Sequence, residues 1–288
     1  MKKAKSILLI IVLAILASCQ KQLSSENNSV AAVDYPNVAY GADPRQSMDI
    51  YLPADRSTAT TKVMVMVHGG AWTTGDKNEL TPFVDSFKRR LPDYAIFNIN
   101  YRLSAAPANI FPTQENDVKA AIDFIVGKSA QYGISDKYAF IGASAGGHLA
   151  LLQGYKNASP VKPRVLVSLA GPTDLVDMYN NPAGGNPVLS SLLASAIGKT
   201  LTQDPQLYAN SSPVNFIAPG APPTLLLYGS VDPLVSTRQP TLAKDKLQAA
   251  GSVYQYVLYP GAAHVDTWSQ LVLFDAFNKI QTFLTTNM

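Results

Sequence analysis

The chain has 288 residues, of which 47% are hydrophobic and 15% are charged. This composition is typical of a globular protein and excludes an intrinsically disordered chain, and the length fits one α/β domain with a full core. The formal net charge is +3, from 23 basic and 20 acidic residues, and Lys2, Lys3 and Lys5 account for the whole excess. The charge therefore predicts no nucleic-acid partner.

The N-terminus combines a basic segment with a short apolar run. The three lysines precede the apolar run SILLIIVLAILA (6–17), which is short for a membrane span. We therefore expect a signal peptide over residues 1–18, with a retained membrane anchor helix as the alternative. LASC (16–19) resembles the lipobox of bacterial lipoproteins. That resemblance implies cleavage before Cys19, its lipidation, and a membrane-attached protein on the periplasmic or cell-surface side.

Cys19 is also the only cysteine in the chain. A single cysteine excludes a disulfide framework and a thiolate metal site. Residues 19–33 are polar and small, which predicts a flexible tether between the membrane and the domain. We place the domain itself at residues 34–288.

The domain alternates strand and helix patterns. VAYGADPRQSMDIYLP (38–53) predicts two short strands split by a turn. Six apolar runs follow at long spacing and are typical of buried parallel strands: KVMVMVHGG, YAIFNINYR, KYAFIGAS, RVLVSLAGP, TLLLYGS and VYQYVLYP. Helical patterns lie between several of them, and Val118, Ile122 and Ile125 fall on one helix face. The alternation predicts an α/β fold with a doubly wound sheet flanked by helices.

Residues 176–213 do not fit this alternation. They are rich in Asn, Pro, Gly and Ser around the short helical pattern VLSSLLASAIG. A connection of this length inside a compact domain is usually functional or an insertion. We therefore predict a small cap over the site.

A serine lies between two glycines in IGASAGGHLA (141–150), after a strand pattern and before a helix pattern. This context predicts a nucleophile elbow that exposes the Ser144 hydroxyl, whereas the simpler alternative is a serine that only caps the helix. An elbow also supplies the Ala145 N–H as one donor to an oxyanion. The other donors are expected from HGGAW (68–72), where Gly69 and Gly70 follow a buried strand. Trp72 is expected either to wall the substrate pocket or to serve only in packing.

A serine nucleophile needs a histidine base, and the chain has three histidines. His148 lies one turn into the helix after Ser144, directed away from the hydroxyl, and His68 belongs to the glycine-rich loop. His264, in the loop after the last strand pattern, therefore remains as the base. Two aspartates compete as the acid that orients it. Asp174 is expected to cap a helix, whereas Asp232 lies in the loop after TLLLYGS, a strand expected beside the strand that leads to His264.

Together these segments resemble the α/β-hydrolase superfamily. They are more closely similar to its esterase/lipase group, with hormone-sensitive-lipase-like and bacterial feruloyl or acetyl-xylan esterase-like members. The resemblance covers nearly the whole chain after the leader, through YGADPRQSMDIYLP, VHGGAWTTGDK, GASAGGHLA, TLLLYGSVDPLV and YPGAAH. It implies a mostly parallel eight-stranded sheet, a triad, and an oxyanion site. The implied residues are Ser144, Asp232 and His264 for the triad and Gly69, Gly70 and Ala145 for the oxyanion site.

Two departures favour the small esterases of this group over its lipases. The glycine-rich loop is HGGAW where HGGG is common, and Tyr228 stands where many members have histidine before the glycine. The sequence therefore favours a serine carboxylesterase that cleaves small acyl groups through an acyl-enzyme. The lipoprotein anchor and the resemblance point to decorated polysaccharides as a source of such esters.

Two other functions are compatible with the same residues. An amidase such as an aryl formamidase uses the same triad on an activated amide, although export argues against a cytosolic metabolic enzyme. A binding protein on an inactive hydrolase fold is the third possibility, and the presence of all three triad candidates argues against it. The sequence has no metal-ligand cluster, phosphate loop or cofactor motif, so neither a metal nor a cofactor is expected.

Overall fold

In the computed structural model of the chain, the described residues are 29–157 and 160–288. The predicted signal peptide (1–18), the lipidation residue Cys19 and most of the predicted tether lie outside them. Strand β1 already begins at Val33, the last residue assigned to that tether. No helix within the described ranges combines the length and the apolar character needed to cross a bilayer.

The described residues form a sheet of eight strands: β1 (Val33–Ala39), β2 (Ser47–Leu52), β3 (Lys62–Val67), β4 (Tyr94–Ile99), β5 (Tyr138–Ala143), β6 (Val165–Leu169), β7 (Thr224–Gly229) and β8 (Tyr254–Tyr259). Their order is β1-β2-β4-β3-β5-β6-β7-β8. Strand β2 is antiparallel to both of its neighbours, and the pairs from β4 to β8 are parallel. The predicted α/β fold with a mostly parallel eight-stranded sheet is therefore confirmed.

Helices connect most of the parallel strands. They are α1 (Thr81–Arg90), α2 (Thr113–Gly127), α3 (Ser129–Tyr132), α4 (Ala145–Lys156), α5 (Leu175–Asn180), α6 (Pro187–Ile197), α7 (Pro205–Asn210), α8 (Arg238–Ala249) and α9 (Gln270–Asn287). Short 3₁₀ turns occur at Lys77–Leu80, Ala183–Gly185, Pro213–Phe216 and Val265–Thr267.

The sheet is buried on both faces, which explains why its strands are continuously apolar. In β3, Met64 and Met66 belong to a cluster with buried side chains of α1 and α9. The alternate residues Val63, Val65 and Val67 belong to a second cluster, with buried side chains of α2 and α4. Successive side chains of a strand point to opposite faces, so each strand contributes to both layers.

The predicted cap segment, residues 176–213, contains most of α5, α6 and α7. It is tied to the rest of the domain by backbone carbonyls. The Ala196 carbonyl accepts from the Ser104 hydroxyl at 2.9 Å, and the Ser211 carbonyl accepts from His148 Nε2 at 2.7 Å. The segment therefore packs on the α4 side of the sheet.

Candidate active site

Ser144 lies in the turn between β5 and α4, with φ 52° and ψ −123°. A positive φ is unfavourable for a residue with a Cβ and marks a strained turn. The Ser144 N–H donates to the Leu169 carbonyl of β6 at 2.8 Å, which holds the turn against the neighbouring strand. The flanking glycines are required by close packing. A Cβ on Gly142 would overlap the Gly146 carbonyl, and one on Gly146 would overlap the Val67 carbonyl.

His264 and Asp232 form a hydrogen-bonded pair. His264 Nδ1 donates to Asp232 Oδ2 at 2.7 Å, and the Asp232 side chain has no exposed surface. The other carboxylate oxygen, Oδ1, accepts from the backbone N–H groups of Leu234 and Val235 at 2.8 and 2.9 Å. The pair forms because β7 and β8 are parallel neighbours, so the loops at their carboxyl ends lie side by side.

Asp174, the competing aspartate, has a different role in the structure. Its side chain accepts from the Asp177 N–H at 3.0 Å and caps the N-terminus of α5. Of the two aspartates considered from the sequence, the structure brings Asp232 to His264.

Ser144 and His264 line the same cavity, which has a volume of about 610 Å³. The glycine-rich loop contributes Gly69 and Gly70 to this lining, together with Ala71, which sequence reasoning did not single out. No hydrogen bond joins the Ser144 hydroxyl to His264 among the described residues. Such bonds are often long before substrate binds and tighten in the complex.

The glycine-rich loop is held next to Ser144 by the pairing of β3 with β5. A Cβ on Gly69 would lie 3.2 Å from the Ser144 Cβ, so the two backbones are nearly in contact. The next residues have φ values of 99° at Gly70, 49° at Ala71 and 62° at Trp72. Ala145 is the first residue of α4, where backbone N–H groups have no partner inside the helix. Its side chain is buried and does not line the cavity.

A partly buried network supports the glycine-rich loop. His68 stacks on Tyr101 with ring centroids 4.3 Å apart, and its Nδ1 donates to the Gly69 carbonyl at 2.7 Å. Burial lowers the pKa of His68 to about 4, so the ring is neutral at pH 7. Arg45 donates to the Gly75 carbonyl at 2.7 Å and to Asp76 at 3.0 Å. Sequence reasoning missed Arg45 and Tyr101, and the only signal for Arg45 was its place in the segment YGADPRQSMDIYLP.

Trp72 does not line the cavity. It is 3% exposed, and its indole N–H donates to His148 Nδ1 at 3.2 Å. Burial also lowers the pKa of His148 to about 4. Of the two roles considered for Trp72, the structure shows packing.

A second, more open groove of about 580 Å³ is lined in part by Ser236, from the loop that carries Asp232. Its lining includes Tyr179, Asn180 and Asn181 of the predicted cap segment, and Arg238 at the start of α8. The described part of the chain has no cluster of three histidine, cysteine or acidic side chains that could hold a metal ion.

Comparison with known proteins identifies the family to which this chain belongs. Esterase LipC of Mycobacterium tuberculosis is 27% identical over 238 residues, which cover 79% of this chain and 58% of LipC. The probable carboxylic ester hydrolase LipM of the same organism is 31% identical over 227 residues, or 74% of this chain and 51% of LipM. The chain thus spans little more than half the length of these two relatives.

A solved structure described as a truncated carbohydrate esterase from gut microbiota superposes with a TM-score of 0.70 at 24% identity. The match covers 89% of this chain and 98% of that one. The family model BD-FAE matches residues 48–247, more than half of the sequence. The chain therefore belongs to the BD-FAE family and has the α/β-hydrolase fold.

Proposed function

We propose that this chain is a carboxylic ester hydrolase in which Ser144 is the nucleophile, His264 the base and Asp232 the acid that orients the base. One observation carries the proposal. His264 donates to Asp232 at 2.7 Å and lines the same cavity as Ser144. The similarity to proteins named esterase and carboxylic ester hydrolase supports the same reaction class.

The first half of the reaction forms an acyl-enzyme. Ser144 Oγ attacks the ester carbonyl carbon while His264 Nε2 accepts the hydroxyl proton. Asp232 stabilises the resulting imidazolium. The carbonyl oxygen becomes negatively charged, and the backbone N–H groups around Gly70 and Ala145 are the candidate donors to it. The C–O bond to the alcohol then breaks, and His264 returns the proton to the departing alcohol.

The second half releases the acid. A water molecule gives a proton to His264 Nε2 as its oxygen attacks the acyl carbon. The bond from that carbon to Ser144 Oγ breaks, and the proton passes from His264 to Oγ. The free carboxylic acid leaves and the enzyme returns to its starting state, so the cycle needs neither a metal nor a cofactor.

Esters on polysaccharides are the proposed natural substrates. The carbohydrate esterase that superposes on this chain supports this choice. The groove beside the Asp232 loop supports it too, because Asn180, Asn181 and Arg238 offer hydrogen-bonding groups to sugar hydroxyls. Release of acetate from acetylated xylan and of ferulate from methyl ferulate, measured beside p-nitrophenyl esters, tests this choice.

Ser144→Ala tests the mechanism. We expect kcat to fall by at least about 10⁴-fold, because the residual activity of a serine hydrolase without its nucleophile comes only from binding and the oxyanion site. The melting temperature and circular dichroism should be unchanged. Ser191→Ala, on the exposed face of α6, is the matched control and should keep wild-type kcat. Activity that survives Ser144→Ala would exclude this mechanism, and a wild-type protein without hydrolase activity would favour a binding protein.

We further propose that the protein is exported, cleaved before Cys19 and lipidated on that residue, as the LASC segment predicts. Mass spectrometry of the N-terminus isolated from the producing cells should show an acylated Cys19. Cys19→Ser should move the protein from the membrane fraction to the soluble fraction. An unmodified Cys19, or cleavage elsewhere, would refute this proposal.

A further inference from the structure

The lining of the cavity beside Ser144 is polar at its mouth and apolar inside. The residues that line its mouth, such as Thr74, Glu79 and Asp266, are polar and exposed. Its inner lining includes Phe87 of α1 and Ile280 of α9, each of which is 2% exposed. The cavity therefore opens at the reacting groups and becomes a wholly apolar space inside.

Aromatic side chains form the walls away from Ser144. Phe83 and Phe87 of α1 face Phe277 of α9, with ring centroids 5.6 and 5.1 Å from it. All three line the cavity. Met66 and Ile141 contribute from the sheet, because their positions in β3 and β5 point to the α1 and α9 layer.

The inner space suits an acyl chain and does not suit the alcohol of a sugar ester. A buried sugar hydroxyl needs a hydrogen-bond partner, and the side chains of the inner lining have none to offer. A hydrocarbon chain, in contrast, gains from leaving water. The alcohol must also leave before water attacks the acyl-enzyme, which requires access to the open mouth beside His264.

We propose, on the basis of the ester hydrolase function above, that the space between the sheet, α1 and α9 binds the acyl chain of the substrate. The preferred acyl groups are linear chains longer than acetyl, because a cavity of about 610 Å³ lies in the range that buries whole drug-sized ligands. Acetyl would occupy a small part of it. This narrows the small acyl group predicted from the sequence to one longer than acetyl.

The wild-type protein gives the first test. We expect kcat/KM for p-nitrophenyl acetate, butyrate and hexanoate to rise about fourfold for each methylene that becomes buried. The same series on Ser144→Ala gives the background. The rise ends when the chain fills the apolar space lined by Phe87 and Ile280.

Ala276→Leu tests the location. Ala276 is a small side chain of α9 in the cavity wall and is 2% exposed, so leucine at this position fills part of the inner space. We expect kcat/KM for the hexanoate ester to fall at least tenfold relative to that for the acetate ester. Thr282→Leu, on the exposed face of the same helix, is the matched control and should leave the ratio unchanged. Phe83→Trp narrows the cavity from α1, on the opposite side. This variant replaces Ala276→Leu in the test if Ala276→Leu does not fold.

The outcomes separate the two proposals. If Ser144-dependent hydrolysis is present but acetate is the best substrate, or if folded Ala276→Leu and Phe83→Trp lower all esters equally, the acyl-site proposal is wrong and the hydrolase proposal stands. If no ester is hydrolysed in a Ser144-dependent way, the hydrolase proposal fails and the acyl site fails with it.

Discussion

Replacing Asp232 by asparagine is expected to inactivate the protein through the tautomer of His264. In the structure Asp232 Oδ1 accepts two backbone N–H groups, from Leu234 and Val235, while Oδ2 accepts His264 Nδ1. An asparagine side chain has one acceptor oxygen and one NH₂ donor group. Only one of the two positions can therefore keep an acceptor.

The two backbone N–H groups determine which of these positions the asparagine oxygen occupies. With the amide oxygen at the Oδ1 position, both backbone N–H groups stay paired and the NH₂ group faces His264 Nδ1. In the opposite orientation the Leu234 and Val235 N–H groups both lose their acceptor, and the loss at the buried Val235 N–H alone costs about 1–3 kcal/mol. The first orientation is therefore favoured by about 1–3 kcal/mol or more. In it Nδ1 must accept a hydrogen bond, so the ring proton moves to Nε2, which then cannot take the proton of Ser144.

We therefore expect Asp232→Asn to lower kcat by about 10⁴-fold, or about 5 kcal/mol of activation free energy, with little change in KM. Steady-state kinetics on p-nitrophenyl butyrate measures both constants. Asp174→Asn is the matched control. Asparagine caps a helix about as well as aspartate, so α5 keeps its cap and kcat should stay within about twofold of wild type.

The reasoning is refuted if folded Asp232→Asn keeps a kcat within tenfold of wild type. It is equally refuted if Asp174→Asn is the variant that loses kcat. Circular dichroism and the melting temperature of both variants establish that any loss of rate is not a loss of fold.

Two further predictions concern the buried histidines. Burial lowers the pKa of His68 and of His148 to about 4, below the value of about 6.5 in the unfolded chain, so the unfolded state binds more protons between these values. The free energy of unfolding should therefore fall as the pH drops from 6.5 towards 4, by up to about 1.4 kcal/mol per pH unit for each histidine. Urea unfolding at pH 7, 6 and 5 measures this, and a flat profile would contradict it. Trp72→Phe removes the donor to His148 Nδ1 and should lower stability by about 1 kcal/mol, whereas a raised KM with unchanged stability would show that Trp72 contacts substrate.

Much of the sheet order could be predicted from the sequence. Strands β5 to β8 are consecutive in both sequence and space, because crossover connections usually place successive parallel strands side by side. That rule made Asp232 the better partner for His264 than Asp174. The turn at Ser144 could also be predicted from the sequence. Its two flanking glycines are required by backbone contacts within the local motif and with the adjacent strand.

The long-range hydrogen bonds that hold the glycine-rich loop could not be predicted from the sequence. The Trp72 bond to His148 joins residues 76 positions apart, and the bond from Arg45 to Gly75 joins residues 30 apart. Neither pair has a spacing that a helix or a strand would reveal. The sequence therefore left packing and substrate contact as equal alternatives for Trp72, and only the position of its indole against a buried imidazole separates them.

The proposed acyl cavity could not be predicted from the sequence for a different reason. Its aromatic walls come from α1 and α9, which lie near opposite ends of the domain sequence. An apolar helix face that lines a cavity has the same periodicity as one packed against a core. A cavity-lining face differs from a core-packed face in how completely its side chains fill the space in front of it. At Ala276 the small side chain leaves space that a leucine would fill. Substrate preference therefore depends on that unfilled space, while the residues proposed for the chemistry depend on backbone turns. Changes at Ala276 should alter the preferred acyl chain without altering the mechanism.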